Sequence, residues 1–219
     1  NLYKVNNQTI VTTAKDMKIR DVVALMSFNE VSVEPYSYRK QINSIYGAVN
    51  LGWKHMLYFD ATLRGDQSST LPISNNMYIY PSFSGSFVFS ELLKLGDKLP
   101  YGKVRMSWAQ VGSDTDPYQL GLVYTKSKFA YPGYTIGYIS NGTIPNKDLK
   151  PTKTNSFEMG LELKFLKNRI GLDFTYYSQL SKNQIMGMAS SSTSGYGYRL
   201  INAGEIENKG VEIALNTRP

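Results

Sequence analysis

The sequence predicts an all-β protein whose antiparallel strands follow one another in up-and-down order, as a segment of a transmembrane β-barrel. Two observations predict this fold. The first is a regular alternation of apolar and polar residues, which gives a strand one apolar and one polar face because successive side chains point to opposite sides. The second is an alternation of short and long connections between these stretches, which is typical of outer-membrane barrels.

The alternation is clearest in the stretch FEMGLELKF, where every second residue is apolar. Other stretches repeat the pattern, with small or charged residues opposite the apolar ones. The predicted strands are residues 44–53, 57–64, 79–89, 103–111, 157–165, 170–178 and 208–216. Aromatic residues near strand ends, such as Trp53 and Trp108, favour a belt at a membrane interface over the core filling of a soluble sandwich.

The connections place the short turns at one end of the strands and the long loops at the other. Residues 54–56 and 166–169 are tight turns, whereas the longest connection covers about 40 residues from Gly112 to Lys153. Compact soluble domains rarely carry such long structureless loops. We therefore expect residues 42–219 to be consecutive barrel strands with short periplasmic turns and long extracellular loops.

Residues 1–41 are less regular than the rest of the chain. The stretch MKIRDVVALMSF is compatible with a short helix or an irregular strand, and Pro35 interrupts the strand-like stretch that follows. Because proline cannot donate to a sheet ladder, it is confined to edges and bulges. We expect this segment to be an irregular loop or edge on the extracellular side.

Composition excludes several classes of function. The chain of 219 residues has no cysteine and a single histidine, His55, which lies in a predicted turn. It therefore offers no Cys–His or Ser–His–Asp arrangement and no zinc–thiolate site. The formal net charge is +7, but Lys and Arg are scattered singly, without the basic run expected of a nucleic-acid-binding protein. We expect no catalytic residue, no cofactor and no nucleic-acid partner.

The long loops carry the candidate binding residues. Asp114 and Asp116 have a spacing that serves either a hard cation or a local turn, and Pro117 favours the turn, so we predict no metal site. Tyrosine is abundant in the loops, and its flat apolar ring with a polar tip suits peptides and sugars. From loop position and residue type, the predicted ligand-binding residues are Asp66, Tyr118, Tyr131, Tyr134, Tyr196 and Arg199.

Several motifs along the chain are shared with one known family. Residues 64–69 form an Arg-x-Asp-x-Ser-Ser loop, residues 80–82 a Tyr-Pro-Ser strand, residues 149–151 a Leu-Lys-Pro segment, and residues 202–212 an Asn-x-Gly-x-x-x-Asn-Lys-Gly-x-Glu element. In this order they resemble the SusC/RagA family of TonB-dependent outer-membrane transporters. Residues 103–118 are similar to another strand and loop of that family.

The resemblance implies one part of a 22-stranded barrel in the outer membrane of a Gram-negative bacterium. It implies import of oligopeptides or oligosaccharides, a SusD-like surface lipoprotein as a lid, and contact with membrane lipid and lipopolysaccharide. The family's plug, its TonB-binding N-terminal part and its remaining strands are absent from this chain. A soluble β-sandwich that binds glycans or peptides, as lectins and adhesins do, is the alternative, and it requires a second sheet against the apolar faces.

Overall fold

The structure is a computed structural model that describes residues 1–19, 22, 24–93, 96, 99–126, 134, 137–139 and 142–218. The long strands are β1 (Leu2–Met17), β2 (Phe28–Trp53), β3 (Leu57–Ser68), β4 (Met77–Val88), β5 (Tyr101–Ser113), β9 (Thr152–Phe165), β10 (Ile170–Lys182) and β13 (Glu205–Thr217). The short elements are α1 (Phe89–Leu93), β6 (Tyr124–Lys126), β7 (Gly137–Ile139), β8 (Thr143–Ile144), β11 (Ile185–Ala189), β12 (Tyr198–Asn202) and 3₁₀ turns at Leu25–Ser27 and Ser192–Ser194.

The long strands form one main sheet in the order β1-β2-β3-β4-β5-β9-β10-β13, and each neighbouring pair is antiparallel. This is the predicted up-and-down order, and every strand predicted from the alternation is present. Tight turns at residues 54–56 and 166–169 join strands at one end. The connection from β5 to β9 lies at the other end, which we call the loop end. The longest connections, residues 114–151 and 183–204, lie at the loop end, but the β4–β5 connection at the turn end (residues 89–100) is longer than the β3–β4 connection at the loop end (residues 69–76). The periplasmic and extracellular placement of the two ends stays a prediction.

The structure differs from the expectation for residues 1–41. Most of them form β1 and the first half of β2, which pair from Leu2 opposite Asn43 to Met17 opposite Phe28, with a break in the pairing at Asp16. On the other side of β2, pairing with β3 begins only at Ile42. The part of the β1–β2 hairpin before Ile42 therefore extends past the rest of the sheet. Pairing between two distant stretches stabilises strands that neither stretch predicts alone. The extracellular placement of the segment stays a prediction.

Pro35 is tolerated because it lies where β2 has one free edge. Opposite it on β1 is Ile10, and no strand of the described chain pairs on the other side. Arg39 directs its N–H away from β1, towards the hydroxyl of Tyr118 at 3.2 Å. The N–H groups of successive residues point alternately to the two sides of a strand, so the backbone of Pro35 has the same orientation as that of Arg39. The N–H that proline lacks would therefore have pointed away from β1, and its absence costs no ladder hydrogen bond. Pro35 therefore does not interrupt β2, which continues from Phe28 to Trp53.

One face of the main sheet is apolar, and nothing in the described chain covers it. Phe83 stacks on Trp108 across two strands with ring centroids 6.0 Å apart. Trp53 is 55% exposed and Ile213 is 68% exposed, although both are large apolar residues. A soluble sandwich would bury this face under a second sheet, which the described residues do not provide. Within the same ranges, no helix combines the length and apolar character that crossing a membrane requires.

The loop end has its own small core. The connections between the long strands fold together there, and β8, β11 and β12 form a three-stranded sheet among them. The Asn202 side chain holds two of these connections together. Its Oδ1 accepts the Lys150 N–H at 2.8 Å, and its Nδ2 donates to the carbonyls of Lys150 and Asn183. The buried side chains of this core are Leu71, Tyr78, Leu149 and Leu200.

Candidate functional site

The polar face of the main sheet carries charged residues in mid-strand, and some of them form ion pairs across strands. Arg105 donates two hydrogen bonds to the carboxylate of Asp173, at 3.1 and 3.0 Å, and one to Thr175 Oγ1 at 2.7 Å. Its side chain crosses directly over Gly160, where an added Cβ would lie only 2.4 Å from Arg105 Nε. The glycine therefore leaves the room that the guanidinium needs to reach β10.

Neighbouring positions on the same face follow this pattern. Asp60 accepts hydrogen bonds from the Asn50 amide and from Ser84 Oγ, and Glu162 lies 3.6 Å from the ammonium of Lys103. Each of these carboxylates thus has a local partner on an adjacent strand. The result is a polar surface on which some carboxylates face cations and others, such as Asp60, face neutral donors, which suits the interior of a barrel.

Asp66 lies inside β3 and not in a loop as predicted. It pairs with Ser44 on one side and Tyr78 on the other. Only 5% of Asp66 is exposed. Its Oδ1 accepts a hydrogen bond from Arg64 Nε at 2.9 Å, and its Oδ2 accepts one from the Tyr80 hydroxyl. Both carboxylate oxygens are therefore used within the protein, and a role in ligand binding stays a prediction.

A second carboxylate, that of the partly buried Asp114, links three chain segments at the loop end. The ammonium of Lys40 lies 2.6 Å from Asp114 Oδ1. The other oxygen of Asp114 accepts hydrogen bonds from Ser68 Oγ and, at 3.2 Å, from Thr70 Oγ1. We call these four residues the Asp114 knot. It joins β2, the end of β3 and the segment after β5, which are far apart in sequence.

Next to the knot lies a polar cleft of about 500 Å³. It is lined by residues 113–116 together with Lys40, Thr152, Gln184 and Ile185. The Asp116 carboxylate is exposed and forms no hydrogen bond or ion pair with any described residue. The cleft therefore presents one free negative charge beside an ion pair that is already satisfied.

The cleft does not have the donors of a metal site. Both oxygens of Asp114 are engaged in the knot, which leaves Asp116 as the available carboxylate. Among the described residues, no group of three or more His, Cys, Asp or Glu could hold a metal ion. Hard cations need several oxygen ligands. Neither aspartate side chain makes the local backbone hydrogen bonds of the predicted turn, because Asp114 contacts residues distant in sequence, so the reason for the Asp114–Asp116 spacing stays a prediction.

The other predicted binding residues are dispersed. Tyr118 is exposed and accepts the Arg39 N–H, Tyr134 is 73% exposed, and Tyr196 is half-buried in the turn before β12. Arg199 is exposed in β12, opposite Met188. Tyr131 lies outside the described residues. The cleft is not lined by any of the predicted residues that the structure describes, so their roles stay predictions.

Sequence reasoning missed Lys40 and Gln184, which line the cleft. Lys40 belongs to the segment expected to be irregular, and Gln184 follows a strand without any motif. The signal available was the pair of aspartates at 114 and 116, which marked the right loop. No local pattern indicated that β2 contacts that loop.

Comparison with known proteins yields one family and several relatives. Residues 8–218 match the family model described as "TonB dependent receptor-like, beta-barrel". TonB-dependent receptor P26 of Formosa agariphila is 27% identical over 180 residues, which are 81% of this chain and 18% of that protein. TonB-dependent receptor SusC of Bacteroides thetaiotaomicron is 27% identical over 192 residues, which are 84% of this chain and 19% of that protein.

Solved structures share the fold. A structure of the RagAB peptide transporter superposes with a TM-score of 0.85 at 21% identity, over 97% of this chain and 24% of that one. The siderophore receptor PirA from Pseudomonas aeruginosa superposes with a TM-score of 0.56 at 20% identity, over 82% of this chain and 31% of that one. The chain thus spans about a fifth of the length of its curated relatives.

Proposed function

Because the chain belongs to the TonB dependent receptor-like β-barrel family, we propose that the full-length protein imports oligopeptides or oligosaccharides into a Gram-negative cell. The chain is a segment of an outer-membrane β-barrel. Its relatives are receptors and transporters, in agreement with the prediction that it is not an enzyme. The segment supplies barrel wall and the folded connections at one end of it.

The observation that carries the proposal is the division of the main sheet into two unlike faces. The apolar face is exposed in large residues such as Trp53 and Ile213, and it suits contact with lipid tails. The opposite face carries paired charges such as Arg105 with Asp173, and it suits a hydrated lumen. The folded connections gather at one end, where an incoming ligand would first meet the barrel.

We also propose the partners of the complete protein. SusC and RagAB are its relatives, and this supports a SusD-like lipoprotein as a lid over the loop end. The family supports coupling to TonB through a part of the protein outside this segment. RagAB is a peptide transporter, which favours oligopeptides over oligosaccharides as the cargo. Lipid tails and lipopolysaccharide are the expected neighbours of the apolar face.

The test is growth of a host in which the complete gene is deleted. The strain is supplied in turn with defined oligopeptides as the nitrogen source and with single oligosaccharides as the carbon source. We expect loss of growth on one class, restored by the complete gene but not when TonB is depleted. Normal growth and normal uptake of labelled compounds on every source would overturn the proposed import.

A further inference from the structure

We propose that the polar cleft beside the Asp114 knot binds a primary ammonium group of the ligand, with the carboxylate of Asp116 as its counter-ion. The inference rests on the proposed function, since the ligand is taken to be the imported compound. The ammonium group can come from a peptide amino terminus, a lysine side chain or an amino sugar. These sources share the same charge and the same three hydrogen-bond donors.

The back of the cleft is already built and needs no ligand to complete it. Lys40 and Asp114 satisfy each other at 2.6 Å, and the Lys40 ammonium also lies 3.5 Å from the Thr115 carbonyl. Ser68 and Thr70 hold the second oxygen of Asp114. The contact with Lys40 holds the Thr115 carbonyl, which is part of the peptide group next to Asp116. A preorganised site avoids part of the ordering cost of binding.

The groups left free in the cleft are hydrogen-bond acceptors or adaptable polar groups. The Asp116 carboxylate and the Gln184 side-chain amide make no hydrogen bond with any described residue. The charged lining residues are two carboxylates and one ammonium, so one negative charge is uncompensated. This negative spot lies in a segment whose formal net charge is +7. A ligand cation is the group that balances it.

Other ligand chemistries fit the cleft less well. None of its lining residues is aromatic, so it lacks the flat ring on which a neutral sugar would stack. A ligand carboxylate would meet the unpaired charge of Asp116 and be repelled. A divalent cation needs several oxygen ligands, and the second carboxylate is held by Lys40. An ammonium group needs one carboxylate and a few acceptors, which are present.

The experiment measures binding to the full-length protein in detergent. The peptide probes are penta-alanine amides with a free or an acetylated amino terminus, which differ in that one charge. The sugar probes are glucosamine trimer and its N-acetylated form. We expect a free amine to bind about fivefold more tightly than its acetylated partner, the effect of one exposed ion pair, and to lose this preference at high salt. If the peptide probes show this preference, the amine comes from a peptide, and if the sugar probes show it, the amine comes from an amino sugar.

The matched variants are Asp116→Asn and Asp148→Asn. Asp148 is also an exposed aspartate of the connection between β5 and β9, but it does not line the cleft. We expect Asp116→Asn to abolish the preference for the free amine and Asp148→Asn to retain it. Equal binding of free and acetylated probes, absence of binding by both pairs, or the same loss in both variants would overturn the inference. Import would still stand on the growth test, which does not depend on the cleft.

Discussion

Replacing Asp114 by alanine should loosen the loop end without disturbing the rest of the sheet. Its side chain is 10% exposed and that of Lys40 is 20% exposed, so the ion pair is largely shielded from water. The substitution leaves the Lys40 ammonium without its counter-ion. It also leaves the hydroxyl of Ser68, a residue that is fully buried, without its charged acceptor.

The free-energy cost of the substitution follows from the groups that lose their partner. Removing one partner of a buried charge pair costs several kcal/mol, and the partial exposure of Lys40 places the cost at about 3 kcal/mol. Hydrogen exchange reports this cost through local opening. The Ser69 N–H donates to the Gln41 carbonyl at 2.9 Å, directly beside the knot. Its exchange rate in Asp114→Ala should rise on the order of 100-fold, since about 1.4 kcal/mol corresponds to a factor of ten.

The assay is hydrogen–deuterium exchange of the full-length protein in detergent, with Asp148→Ala as the control for loss of an exposed aspartate. The Met56 N–H, in the tight turn at the far end of the sheet, serves as an internal reference. The double variant Lys40→Met with Asp114→Ala should recover part of the protection, because no unpaired ammonium remains. Exchange at Ser69 within threefold of the wild-type rate would refute the role assigned to the knot.

Two further predictions concern the main sheet. A label on Met159→Cys should be quenched by probes in the lipid tails, whereas a label on Glu162→Cys should not, and equal quenching at both positions would contradict the assignment of the two faces. Replacing Gly210 by valine should cost about 1–3 kcal/mol, because an added Cβ would lie 2.5 Å from the Tyr177 hydroxyl. When samples are heated before gel electrophoresis, the band of the folded Gly210→Val protein should therefore disappear at a lower temperature than that of the wild type. Gly47→Val is the control, since nothing lies within 4 Å of a Cβ there, and a similar loss in both variants would show that crowding by Tyr177 is not the cause.

The strands were predictable because their signal is local. A period of two in the apolar residues is enough to place β9, and the register is then set by keeping the apolar sides together, as in Phe174 opposite Leu161. The alternation of short and long connections between the strands predicted their up-and-down order. Both properties can be read from neighbouring residues, and they survive in the structure from β2 to β13.

The loop end was not predictable in the same way, because its contacts join distant segments. Leu149 and Leu200 belong to the same buried cluster, although no periodic pattern of apolar residues surrounds either one. Asp66 was expected in a loop, yet β3 continues to Ser68 because β2 and β4 pair with it on both sides. Strand ends depend on what lies beside them, and one chain segment does not reveal its neighbours.

The polar face and the cleft differ in a way that suits a transport path. In mid-strand, Arg105 with Asp173 and Glu162 with Lys103 neutralise each other within the wall, so a charged ligand gains little by stopping there. At the loop end, Asp116 keeps its charge free while the neighbouring carboxylate is held in the knot. Under the proposed import, ion pairs within the wall would let a ligand pass, and the unpaired carboxylate of Asp116 would hold its amine first. The two proposals together thus assign selection and passage to different residues of the same segment.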